Sequence, residues 1–214
     1  MNEPSINLEE LAEAGVATVY EAAGQTGLVD VPLIQILPGS RAAGPARTVQ
    51  CAPHDNLMVH AAVGEVQPGE ILVLTMPVAE PVSLMGGLLA VQARSRGAAG
   101  VLIDAGVRDV DEIRDLGLPV WARFVTARAA SKHNPGRLGV PVTVGGVTIE
   151  TGDIVVLDGD GAVVVRPGDA ARVAEMVRER IDREAAVRPR LEAGELTYDL
   201  HGLRGLVESP GEQA

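Results

Sequence analysis

The chain has 214 residues, 46% of them hydrophobic but only 2% aromatic, with 25 glycines, 14 prolines and a formal net charge of -11. That charge argues against nucleic acid, itself a polyanion, although one local arginine can still make a small pocket attractive to an anionic ligand. A single cysteine, Cys51, leaves no internal disulfide and suits a reducing cytoplasm; the acidic start MNEPSINLEELAEAG lacks an apolar signal core, and no segment reaches membrane-spanning length.

Leu8, Leu11, Val16 and Val19 make an imperfect apolar stripe that predicts a helix over 7–23. The stretch VDVPLIQILPGSRAAGPARTVQCAP then reads as two strands around a Pro/Gly turn. Asp55 is placed to cap a helix carrying Leu57, Met58, Ala61 and Ala62, and VQPGEILVLTMP reads as turn into strand. From there helix and strand alternate. GGLLAVQARSRG predicts a helix from near Gly86, AAGVLID a buried strand ending at Asp104, DVDEIRDLG a short helix and LPVWAR a strand over 118–123. This βαβ rhythm puts Arg108 just past the carboxyl end of a strand, where α/β proteins commonly bind ligands. Gly145-Gly146 reads as a hairpin turn, and DGDG as a second tight turn between strands rather than a calcium loop. Residues 169–193 predict a long charged helix, broken at Pro189. The expectation is an α/β core over 1–168, with a helix and tail over 169–214 in the same structural unit.

Lys132, the only lysine, lies in a Gly/Pro/Asn-containing loop with no visible route to the neutral amine that Schiff-base chemistry needs. The histidines, His54, His60, His133 and His201, lack paired zinc-ligand spacing. Cys51 and Ser83 sit in no nucleophile motif, and GGLLA is too short for a nucleotide phosphate loop. The segment from Gly86 to Asp109 remains. Gly86, Gly87, Leu88 and Leu89 would offer free N–H groups at a helix start, Arg108 a bidentate grip on a carboxylate, and Asp109 a hard oxygen for Mg²⁺. A solvated strand end, with Asp104 capping the next turn, is the alternative.

GGLLAVQARSRGAAGVLIDAGVRDV followed by LGLPVWAR resembles the class II pyruvate aldolases that cleave 4-hydroxy-4-methyl-2-oxoglutarate and 4-carboxy-4-hydroxy-2-oxoadipate. Those enzymes are related to the regulator of ribonuclease E activity A. PHDNLMVH, GDIVVLDGDGAVVV and LEAGELTYDLHGLR carry the resemblance over most of the chain. It implies a compact α/β/α swivelling-type domain with a central mixed sheet and a long C-terminal helix, assembled into homotrimers or homohexamers. It also implies a lyase that uses Mg²⁺ or Mn²⁺ to release pyruvate from an oxo-acid substrate, commonly with oxaloacetate decarboxylase activity. Arg108 falls on the substrate arginine, Asp109 on the metal-associated aspartate, and Gly86 to Leu89 on the carboxylate-binding helix start. Glu184 falls on an acidic residue that reaches a neighbouring subunit's site. One departure stands out. The family's Asp or Glu after the first glycine is Gly87 here, which removes a group that orients water or moves a proton and leaves Asp104 or a substrate-assisted path to compensate.

Overall fold

A computed structural model describes residues 7–208. The elements in chain order begin with α1 (Leu8–Ala22), β1 (Ile34–Gln35), β2 (Ala42–Gln50), α2 (Leu57–Glu65), β3 (Ile71–Thr75), β4 (Ser83–Met85) and α3 (Gly87–Ser95). There follow β5 (Gly100–Val107), α4 (Val110–Leu116), β6 (Val120–Val125), β7 (Arg137–Leu138), β8 (Val142–Val144) and β9 (Val147–Ile149). Last come β10 (Ile154–Asp158), β11 (Gly161–Val165), α5 (Ala170–Glu192), α6 (Thr197–Leu200) and α7 (Arg204–Glu208). The chain divides into two compact units, Met1–Val177 and Arg178–Ala214, and the division falls inside α5.

In the first unit the main sheet runs β1-β6-β5-β3-β2-β10-β11, with β4 beside β5 and β7 beside β2. It is mixed because β2, whose residues 46–50 run parallel to β3, uses residues 42–45 to pair antiparallel with β10. Strand alternation then builds two cores from the same strands. Ile71 and Val73 face a cluster with Leu102, Trp121, Val155 and Leu157, closed by the β8–β9 hairpin. Leu72 and Leu74 face the opposite side, where α2, α3 and α4 pack through Val59, Ala90 and Ile113. Each fully buried leucine contributes roughly 2 kcal/mol. The outer face of β10–β11 is covered by Leu11, Val16 and Val19 of α1 and by Val173 and Val177 of α5.

The expected α/β fold with a mixed sheet and a long C-terminal helix is therefore present, and local departures have local causes. The stripe on α1 is imperfect because Gly15, at φ 82°, breaks the helix and shifts the apolar register by one. Only a residue without Cβ fits there: a Cβ would lie 2.5 Å from Asp158 Oδ2. Asp158 instead accepts the Val16 N–H at 2.9 Å and the Asp160 N–H at 2.8 Å, so the DGDG turn spends its first carboxylate on structure. The strand expected to stop at Asp104 continues to Val107, through a register shift against β6 between Ile103 and Gly106. Pro189 does not break α5, which runs on to Glu192.

The second unit holds the rest of α5, then α6 and α7. Within it Arg180 pairs with Glu184 at 2.9 Å and Arg190 with Glu195 at 2.6 Å, while Arg204 lies over the Tyr198 ring. No helix among the described residues is long and apolar enough to cross a membrane.

Candidate active site

The parallel strands end beside an open cleft of about 250 Å³, lined among others by Asn56, His60, Gly86, Arg108, Asp109 and Glu112. β5 supplies one wall. Just past Val107 its chain turns sharply: Asp109 is left-handed at φ 56°, a conformation aspartate tolerates better than most side chains, and α4 starts at once. Two contacts hold this turn against the beginning of α3. The Arg108 N–H donates to the Met85 carbonyl at 3.1 Å, and the Gly87 N–H donates to Asp109 Oδ2 at 3.0 Å. Arg108 Nε stands 3.4 Å from the same oxygen, and both side chains are nearly half exposed, 45% and 43%. The guanidinium edge thus remains open to a ligand while its stem is fixed.

The Gly86-Gly87 pair makes this approach sterically feasible. A Cβ on Gly86 would lie 2.5 Å from Asp109 Oδ2 and 2.9 Å from Arg108 Nε. A Cβ on Gly87 would meet the Glu112 carboxylate, whose carbon and two oxygens all lie within 2.6 Å of that point. The first turn of α3 carries N–H groups without intrahelical acceptors. Gly87 has given its own to Asp109, which leaves Leu88 and Leu89 facing the cleft. The Leu88 side chain is 86% exposed at the rim.

α2 and the loop over 129–132 form the other wall, with Asn56, His60 and Lys132. Asn56 donates through Nδ2 to the Leu84 carbonyl at 3.0 Å, while its buried Oδ1 has no partner among the described residues. Partial burial, reinforced by the nearby Lys132 ammonium, lowers the His60 pKa and favours its neutral imidazole. Asp55 anchors the loop. Its Oδ1 accepts the Leu57 N–H at 2.8 Å, and its Oδ2 accepts the Ser131 hydroxyl at 2.5 Å and the N–H groups of His133 and Asn134 at 2.7 and 3.0 Å. Burial opposes charge on Asp55, but these four donors together hold its carboxyl far below the usual range. Cys51 is no nucleophile: burial first, then the Asp55 charge, push its thiol up to about 12.

The structure thus gathers Gly86, Leu88, Leu89, Arg108 and Asp109 around one cleft, with Gly87 beneath Glu112. Asp104 is not among the lining residues. It is buried on β5, with Oδ1 3.1 Å from Arg123 Nη1 on β6, and desolvation raises its pKa against the pull of that arginine. The register shift on β5 interrupts the alternation that would carry a side chain four residues before Arg108 to the same face. Glu184 lies in the second unit, paired with Arg180. Sequence reasoning passed over Glu112, Asn56 and His60 as site residues. The available signal for Glu112 was its place in the first turn of α4, three residues after Asp109 on the same helix start.

A metal has one natural foothold here. Among the described residues Asp109 Oδ1 has no partner, and no group of three or more His, Cys, Asp or Glu side chains converges. Such a donor set would suit a largely hydrated Mg²⁺ or Mn²⁺ on one carboxylate and would not suit a four-ligand zinc cage.

The chain is similar to several known proteins. The RraA-like aldolase/RraA family matches residues 16–164. A protein of Halalkalibacterium halodurans named "Putative 4-hydroxy-4-methyl-2-oxoglutarate aldolase" is 35% identical over 146 residues, 68% of this chain and 70% of its own. The solved structure of Streptomyces coelicolor RraAS2, described as an unusual member of the RNase ES inhibitor RraA family, superposes with a TM-score of 0.78. Its identity is 28%, over 89% of this chain and 100% of that one. A Geobacillus kaustophilus structure described as an S-adenosylmethionine:2-dimethylmenaquinone methyltransferase gives a TM-score of 0.61 at 34% identity, covering 65% of this chain and 86% of that one. With the family match spanning most of its length, this chain belongs to the RraA-like aldolase/RraA family.

Proposed function

We propose that the chain is a divalent-metal-dependent lyase that cleaves 4-carboxy-4-hydroxy-2-oxoadipate or 4-hydroxy-4-methyl-2-oxoglutarate to release pyruvate, and that it also decarboxylates oxaloacetate. The observation that carries this reading is the half-exposed Arg108 guanidinium beside the first turn of α3, at the carboxyl edge of parallel strands. Arg108 and the N–H groups of Leu88 and Leu89 grip the α-keto carboxylate and fix the substrate's orientation. Asp109 keeps Arg108 in place and offers its second oxygen to the metal shell. Bound Mg²⁺ or Mn²⁺ supplies Lewis-acid stabilisation of the charge that develops as pyruvate leaves. Pyruvate release from 4-carboxy-4-hydroxy-2-oxoadipate with Mg²⁺ or Mn²⁺, lost on chelation, tests the reading; no turnover of any related oxo acid by folded protein refutes it.

The proposal includes a homotrimer or homohexamer in which Glu184 completes a neighbour's site. Exposed Ile181, Leu196 and Leu206 in the second unit support association. Val173 and Val177 of α5 are spent in the first unit's core and contribute nothing to it. Light scattering tests this: a monomeric mass at micromolar concentration with full activity removes the shared site.

The likeness to RraAS2 favours a second reading, a non-enzymatic regulator that binds a protein partner. Stoichiometric capture of a partner, unchanged in Arg108→Ala, would support it. The methyltransferase description is not carried over, since no glycine-rich nucleoside-binding pattern follows an early strand; S-adenosylmethionine binding in calorimetry would reverse that.

A further inference from the structure

Cleavage of a 4-hydroxy-2-oxo acid needs a group that takes the hydroxyl proton, and Gly87 leaves the start of α3 without a carboxylate. We propose that Glu112 is that base, delivered from α4 into the space Gly87 leaves open; the proposal rests on the lyase reading above. From ordinary bond lengths, an aspartate at position 87 would hold its carboxylate oxygens about 2.4 Å from its Cβ. The Glu112 carboxylate occupies that shell, all three of its atoms lying within 2.6 Å of the Gly87 Cβ position. Gly87 therefore relocates a carboxylate from one helix to the next and does not merely delete one.

The neighbouring aspartates are less suited. Asp109 Oδ2 is committed to the Gly87 N–H and to Arg108. Asp104 is held by Arg123 outside the cleft. Glu112 is exposed and has no hydrogen bond or ion pair among the described residues. In the step, Glu112 accepts the proton of the 4-hydroxyl, the C4–O bond becomes a carbonyl, and the C3–C4 bond breaks. Its electron pair forms the pyruvate enolate; solvent protonates C3 and recovers the proton from Glu112.

The test compares cleavage with oxaloacetate decarboxylation, which involves no hydroxyl proton. In Glu112→Gln the cleavage-to-decarboxylation ratio should fall roughly 100-fold, as expected for loss of a general base. Binding of oxalate, an enolate mimic, should persist in calorimetry. The double variant Gly87→Asp/Glu112→Gln, which moves the carboxylate back to α3, should regain at least about a tenth of the parent ratio. If the parent cleaves and Glu112→Gln cleaves equally well, the assignment fails while the lyase reading stands. A parent inactive on every oxo acid takes both down. Loss of cleavage in His60→Asn, with Glu112→Gln unaffected, would give the role to His60.

Discussion

Two carboxylates stand at helix starts on opposite walls of the cleft, and they have been put to opposite uses. Asp55, before α2, is 1% exposed and receives four donors, so neither oxygen is left for a ligand. Asp109, before α4, is nearly half exposed and has one oxygen engaged. Both follow the same rule that helix starts favour anions. What separates a saturated carboxylate from one open to a ligand here is how many of its acceptor sites the protein itself has filled. Asp55 fixes the loop that carries Lys132, whereas Asp109 steadies Arg108 and keeps capacity in reserve.

The contrast can be broken most severely at Arg108. Removing a charge partner that grips a carboxylate costs several kcal/mol, so Arg108→Ala should lower kcat/KM roughly 1000-fold while leaving the melting temperature nearly unchanged. Steady-state kinetics beside thermal denaturation checks both halves. The mirror image is Asp55→Asn, where one oxygen of a saturated acceptor becomes a donor facing donors. It should cost about 2–4 kcal/mol in denaturant unfolding. Because the folded pKa of Asp55 is depressed, its contribution is fully present above the unfolded value of about 3.9 and is lost as pH falls through the folded value. Stability measured from pH 6 to pH 2 should therefore decline less steeply in Asp55→Asn than in the parent.

Asp109→Asn should have an intermediate effect, raising the Mg²⁺ concentration for half-maximal activity roughly tenfold with little change in thermal stability. Equal activity of variant and parent at limiting metal would remove Asp109 from the metal shell. The smallest effect belongs to Asp104→Asn, which leaves the cleft walls untouched. Its kcat/KM should stay within about threefold of the parent, since the lost charge pair lies outside the site. A loss of several hundredfold would restore the catalytic role that the sequence suggested for it.

What was legible in the sequence was local. Arg108 and Asp109 could be placed because a buried run ending in charges marks a strand end, and the helix start at Gly86 announced itself through paired glycines. Asp104 misled because one register shift resets a strand's faces, and nothing in the letters VLIDAGV marks it. Glu112 was invisible for a different reason. Its significance lies in the gap above Gly87, which sits on another helix and is close only in three dimensions. The long charged helix over α5 was legible too, but its charge pattern does not say that Val173 and Val177 find their partners in the first unit's core.

The join between Asp158 and the Val16 N–H has a consequence for the order in which the protein is made. It links positions 142 residues apart, and the same region buries Leu11, Val16 and Val19 against β10, β11 and α5. Leu28 and Ala43 touch that cluster early, but its main cover from β10, β11 and α5 is synthesised only after residue 153. A nascent chain therefore carries α1 with most of its apolar side uncovered until those elements follow, and α1 docks late although it is made before them.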